Sequence, residues 1–130
     1  MPRILVVDDQ QDVRAMICMV LRLNRFEVTE AESAKAGLKA FTAESFDAAV
    51  VDIFLEDTCG FDLIAAMREQ VPHLAVVAVS GMATLDAVAR SSDLSSVVCL
   101  QKPFRPIELI RAIEKARGSA GRVKAEKIAV

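Results

Sequence analysis

Six polar or small residues stand where apolar runs of this sequence end. Asp8 and Asp9 close the run Ile4 to Val7, Asp52 falls at the end of the run Phe46 to Ile53, Ser80 and Gly81 follow Leu74 to Val79, and Lys102 follows Val97 to Leu100 and precedes Pro103. Taken singly, each has an ordinary explanation as a turn residue, a helix cap or a solvated side chain. Taken together they suit one chemistry. Three clustered carboxylates repel one another, and a hard divalent cation such as Mg²⁺, which takes oxygen ligands, relieves that repulsion. Asp52 then has a carboxylate oxygen free to attack phosphorus and form an acyl phosphate. Phosphoryl transfer asks mainly for positioning and for neutralisation of the equatorial oxygens. The Lys102 ammonium and the cation supply charge, the Ser80 hydroxyl a hydrogen bond, and Gly81 an open approach.

The elements that must position these groups follow from hydropathy. Four- to eight-residue apolar runs at Ile4 to Val7, Phe26 to Ala31, Phe46 to Ile53, Leu74 to Val79 and Val97 to Leu100 read as strands. Between them lie helical patterns. Val13, Met16, Ile17, Val20 and Leu21 share one face; Ser33 is an N-cap for a helix burying Ala34, Leu38 and Phe41; Phe61, Ile64, Met67 and Val71 align after Gly60 until Pro72 stops them. Leu85, Val88 and Ala89 mark a short fourth helix, and Pro106 opens a last one burying Ile107, Ile110 and Ile113. Continuous apolar strands alternating with amphipathic helices imply a parallel sheet covered on both faces, a doubly wound α/β fold. In such a sheet ligands collect at the carboxyl ends of the strands, so the six residues converge on one crevice.

Composition bounds the rest. A chain of 130 residues that is 53% hydrophobic supports one well-buried domain. A net charge of −2 argues against direct nucleic-acid binding. Cys18, Cys59 and Cys99 are odd in number and show no metal-site spacing, which fits reduced thiols. No apolar stretch approaches membrane-spanning length, so a cytoplasmic location is expected. Residues 118–130 have little apolar periodicity and are expected to form a flexible tail after a domain spanning 1–117.

The segments Val6-Val7-Asp8-Asp9, Val51-Asp52-Ile53-Phe54-Leu55, Gly60-Phe61-Asp62-Leu63, Val79-Ser80-Gly81 and Lys102-Pro103-Phe104 resemble, in order and spacing, the signature positions of two-component response-regulator receiver domains. The resemblance runs from about Arg3 to Arg117. It implies a flavodoxin-like receiver fold with strand order 2-1-3-4-5, an arrangement for which a receiver protein already serves as the standard example. It implies that Asp8, Asp9, Asp52 and the backbone carbonyl of Phe54 hold Mg²⁺. Asp52 would accept a phosphoryl group from a histidine kinase or histidine phosphotransfer protein, and Lys102 would contact that group. Ser80 would be the switching hydroxyl, and the Lys102–Pro103 bond would be cis. Output would pass to a downstream protein target or by onward phosphotransfer.

Two departures from the family pattern stand out. An aromatic residue is usual where this chain has Cys99, so the usual switch readout is altered. The loop after the phosphoacceptor often reads Leu-Pro-x-x-x-Gly, but here it is Leu55-Glu56-Asp57-Thr58-Cys59-Gly60. That change is expected to alter loop stiffness and partner contacts and to leave the chemistry alone. By the family's geometry, Phe54 and Met82 flank the line along which water would attack the acyl phosphate. Other readings are weaker. An aspartyl-phosphate hydrolase would carry a second acid in Asp52-Ile53-Phe54, and a flavin phosphate would be repelled by the three acids.

Overall fold

The computed structural model describes residues 1–81 and 97–129. Five strands, β1 (Arg3–Val7), β2 (Glu27–Ala31), β3 (Ala48–Asp52), β4 (Ala75–Ser80) and β5 (Val98–Gln101), form one sheet in the order β2-β1-β3-β4-β5. Every pairing is parallel, with Ile4 opposite Ala48, Ala48 opposite Ala75 and Val77 opposite Val98. The order reverses between β1 and β3, which opens a crevice beyond their carboxyl ends.

Helices α1 (Gln11–Leu23), α2 (Ala34–Ala43) and α3 (Gly60–Gln70), with a C-terminal helix over Pro106–Ala129, flank the sheet. Side chains alternate along each strand, which sorts the core into two layers. Leu5, Val7, Ala49, Val51, Val76 and Ala78 face α2 and α3, packing with Phe41, Leu63, Ile64 and Met67. Ile4, Val6, Ala48, Val50, Val77 and Val79 face the other way, against Ile17, Leu21, Leu109 and Ile113. Ser33 caps α2 as its type predicts, its hydroxyl accepting the Ala36 N–H at 3.1 Å. The Lys102–Pro103 peptide is cis.

Two local expectations differ from what is observed. Val71 lies past the end of α3 and is exposed, because the residue before a proline disfavours helical backbone and turns away from the helix face. Ile107 is also exposed. The buried stripe of the last helix is Leu109, Ala112, Ile113 and Ala116, and Ile107 falls off it. That helix runs on past Arg117 to Ala129. Ala120, Ala125 and Ala129 favour helix there and no proline interrupts, whereas Gly118 and Gly121 are poor helix formers. The fourth helix expected around Leu85 to Ala89 lies outside the described residues.

Candidate phosphoacceptor site

Strand β1 delivers Asp8 and Asp9 directly beyond Val7. Asp8 is 1% exposed, and its Oδ1 accepts the Gln10 N–H at 2.9 Å. That bond is the short acidic turn expected when a strand hands over to a helix. Its backbone carbonyl accepts a hydrogen bond from Arg14 at 2.7 Å, which ties the turn to α1. Asp9 is half-buried, and its Oδ2 accepts the Glu56 N–H at 3.0 Å. Asp52, the last residue of the fully buried β3, is 5% exposed, and its Oδ1 accepts the Phe54 N–H at 3.0 Å. One carboxylate oxygen from each of the three acids lies within 4.8 Å of those of the other two.

Lys102 reaches this cluster from the end of β5. Its backbone N–H donates to the Ser80 carbonyl at 2.7 Å, which registers the lysine beside the end of β4. Its Nζ donates to Asp52 Oδ2 at 3.2 Å, Asp8 Oδ2 at 3.3 Å and Gln10 Oε1 at 3.3 Å, one oxygen for each ammonium proton. Burial pushes the Asp52 carboxyl above the ordinary aspartate range; the neighbouring Asp8 charge adds to this, while the Phe54 amide and the Lys102 ammonium oppose it. A buried acid cluster already holding one cation against two of its members has the all-oxygen donor set that a hard divalent ion requires.

The site opens into a cavity of about 450 Å³, whose walls include Phe54, Glu56 and Gly81 as well as Asp9, Asp52 and Lys102. A Cβ added to Gly81 would meet nothing within 4 Å, so the approach from that side is open. Ser80 is fully buried at the end of β4. The Phe54 side chain is 55% exposed at the cavity mouth. Cys99, half-buried, packs against the α2–α3 side of the core. The structure thus brings Asp8, Asp9, Asp52, Gly81 and Lys102 together, with Ser80 and Phe54 adjoining in the chain. Met82 lies outside the described residues.

Three participants escaped the sequence reading. Gln10 holds Lys102, the Glu56 amide holds Asp9, and Asp57 fastens the β3–α3 loop to α2. Gln10 could have been flagged, since it follows the acid pair at the same strand mouth. The other two contacts join residues 47 and 22–23 positions apart, which no local pattern signals.

An open parallel sheet with an acid triad and a lysine at its switch point defines a phosphoacceptor signalling module. The family described as the response regulator receiver domain matches residues 4–114, and the chain belongs to it. The chain is 33% identical over 132 residues to the transcriptional regulatory protein PrrA of Mycobacterium tuberculosis; the match covers 99% of this chain and 57% of that protein. It superposes with a TM-score of 0.85 on a CheY-like receiver domain protein of Methanospirillum hungatei, at 27% identity over 94% of this chain and 98% of the other. The receiver domain of NtrX from Brucella abortus gives a TM-score of 0.80 at 30% identity, covering 88% of this chain and 98% of that one. Among the described residues no helix is long and apolar enough to cross a membrane.

Proposed function

We propose that the chain is a phosphoacceptor switch, phosphorylated on Asp52 in the presence of Mg²⁺ by a histidine kinase or a histidine phosphotransfer protein. The carrying observation is the Asp52 carboxylate, buried at the foot of an open cavity, 3.2 Å from Lys102 Nζ and clustered with two further acids. Asp8, Asp9, Asp52 and the Phe54 carbonyl would hold the ion, and when bound it supplies positive charge that offsets both the acids and the incoming phosphoryl oxygens. An Asp52 carboxylate oxygen attacks phosphorus as the phosphorus–nitrogen bond of the donor phosphohistidine breaks, and the imidazole leaves with a proton. Lys102 exchanges its carboxylate partners for a phosphoryl oxygen, and Ser80 donates to another. Gly81 keeps the entry clear.

The receiver unit is assigned to residues 1–117, and the family match ends inside it, at residue 114. Output passes through a protein partner or by onward transfer to another histidine. With Cys99 in place of an aromatic ring, that output relies on backbone movement after Ser80 more than on a swinging side chain. The reading is tested by incubating the protein with acetyl phosphate, with and without Mg²⁺, and measuring intact mass. One alkali-labile phosphoryl group, present only with Mg²⁺ and absent in Asp52→Asn, is the expected result. Uptake by the Asn variant at the wild-type rate would overturn the assignment of the nucleophile.

A further inference from the structure

The loop between β3 and α3, residues 53–59, is anchored from within and from outside. Inside the loop, Phe54 and Cys59 form an antiparallel bridge, and the Gly60 N–H donates to the Ile53 carbonyl at 2.7 Å. At its tip, the two oxygens of Asp57 accept the N–H groups of Ala34 and Lys35, each at 3.1 Å, which clamps the loop onto the first turn of α2. Those two amides lack partners within their own helix, so the carboxylate completes them. This bonding holds the Asp57 carboxyl below the usual range.

The clamped loop presents the Glu56 N–H to Asp9 Oδ2 at 3.0 Å. A proline at position 56, which the family pattern often has there, carries no N–H and could not make this bond. The departure expected to leave the chemistry alone therefore touches a member of the acid triad. Asp9 is the least buried of the three acids, and its short side chain would otherwise sample several rotamers. A carboxylate accepts more than one bond, so the amide can hold it while leaving lone pairs for a cation.

We propose that the Glu56 backbone amide, fixed in place by Asp57, positions the Asp9 carboxylate for divalent-cation binding, so that this chain tunes its metal affinity through the loop. The proposal rests on the reading of Asp9 as a cation ligand. Contacts that orient a metal ligand typically change affinity by about 10- to 100-fold when removed. Glu56→Pro deletes the amide hydrogen, whereas Glu56→Ala keeps it; both lose the Glu56 charge, so their difference isolates the bond.

Isothermal titration calorimetry of the full chain with Mg²⁺ measures both. The Ala variant should bind within about threefold of wild type and the Pro variant about tenfold more weakly than the Ala variant. Equal affinities in the two variants would overturn the positioning role while leaving the cation site intact. Absence of Mg²⁺ binding by the wild type at millimolar concentration would instead overturn the cation reading on which the proposal rests. Because proline can disturb the loop, amide NMR of Asp9→Ala provides a second measurement. The Glu56 amide should move upfield and lose exchange protection, while the Ala34 and Lys35 amides stay in place. An unmoved Glu56 resonance would remove the bond and the proposal with it.

Discussion

Replacing Asp52 by asparagine should abolish phosphorylation and, without metal, make the protein more stable at neutral pH. At 3.2 Å, the attraction of Lys102 for Asp52 is about 5 kcal/mol at an effective dielectric near 20. Repulsion from Asp8, with ligand oxygens up to 4.8 Å apart, is about 3.5 kcal/mol on the same basis. The net attraction, at most about 1.5 kcal/mol on this basis, and the Phe54 amide bond favour the ionised form, but burial is the largest cause and outweighs them, leaving the pKa raised. The folded state therefore binds the Asp52 proton more tightly than the unfolded chain does. Its stabilising contribution is complete below the ordinary value of 3.8 and is lost as pH rises through the raised folded value. Asparagine mimics the protonated form at every pH and keeps Lys102 on Asp8 and Gln10. A gain of about 1–3 kcal/mol at pH 7 follows, or roughly 3–12 °C in Tm.

Urea titrations followed by far-UV circular dichroism in EDTA measure this; the chain has no tryptophan or tyrosine to follow by fluorescence. The gain should shrink as pH falls toward 3.8. Mg²⁺ at a hundred times its Kd adds about 2.7 kcal/mol to the wild type and less to the variant, narrowing or reversing the gap. An asparagine variant less stable than wild type at pH 7 in EDTA, or a gain unchanged at low pH, would refute the electrostatic argument.

Three further outcomes are expected. Phe54 and Met82 cannot orient a hydrolytic water, so the phosphorylated protein should be long-lived, and Phe54→Asn with Met82→Glu should speed its decay roughly ten- to a hundredfold; decay within seconds, unchanged in the double variant, would contradict this. A Cβ on Gly60 would lie 2.3 Å from the Asp52 carbonyl oxygen and 2.7 Å from Ile53 Cα, so Gly60→Ala should cost about 2–4 kcal/mol in a urea titration, and a wild-type midpoint would show that the loop yields freely. Cys18 is buried, and desolvation first, then the nearby Glu30 charge, pushes its thiol up to about 11; iodoacetamide at pH 8 should label exposed Cys59 well before Cys18, and equal rates by mass spectrometry would count against that burial.

The fold was largely legible because strand and helix periods differ and each strand run ends on polar residues. Asp8, Asp9, Asp52 and Lys102 are placed by the rule that parallel strands share one functional end. Strand order is not, since hydropathy does not say which edges pair; the resemblance supplied it. Val71 and Ile107 were misassigned because periodicity counts apolar residues without knowing where the helix begins or ends. The Glu56 and Asp57 contacts depend on how one loop meets two other elements, which is tertiary information.

Lys102 spans 94 positions of sequence to reach Asp8 and 50 to reach Asp52. No fragment that stops short of β5 contains the ammonium that offsets those buried acids. A nascent or proteolysed chain lacking β5 would leave two interior carboxylates facing each other without their counter-charge, and would be poorly folded where it would otherwise be reactive. On the proposed reading, competence to receive a phosphoryl group would thus be tied to completion of the sheet.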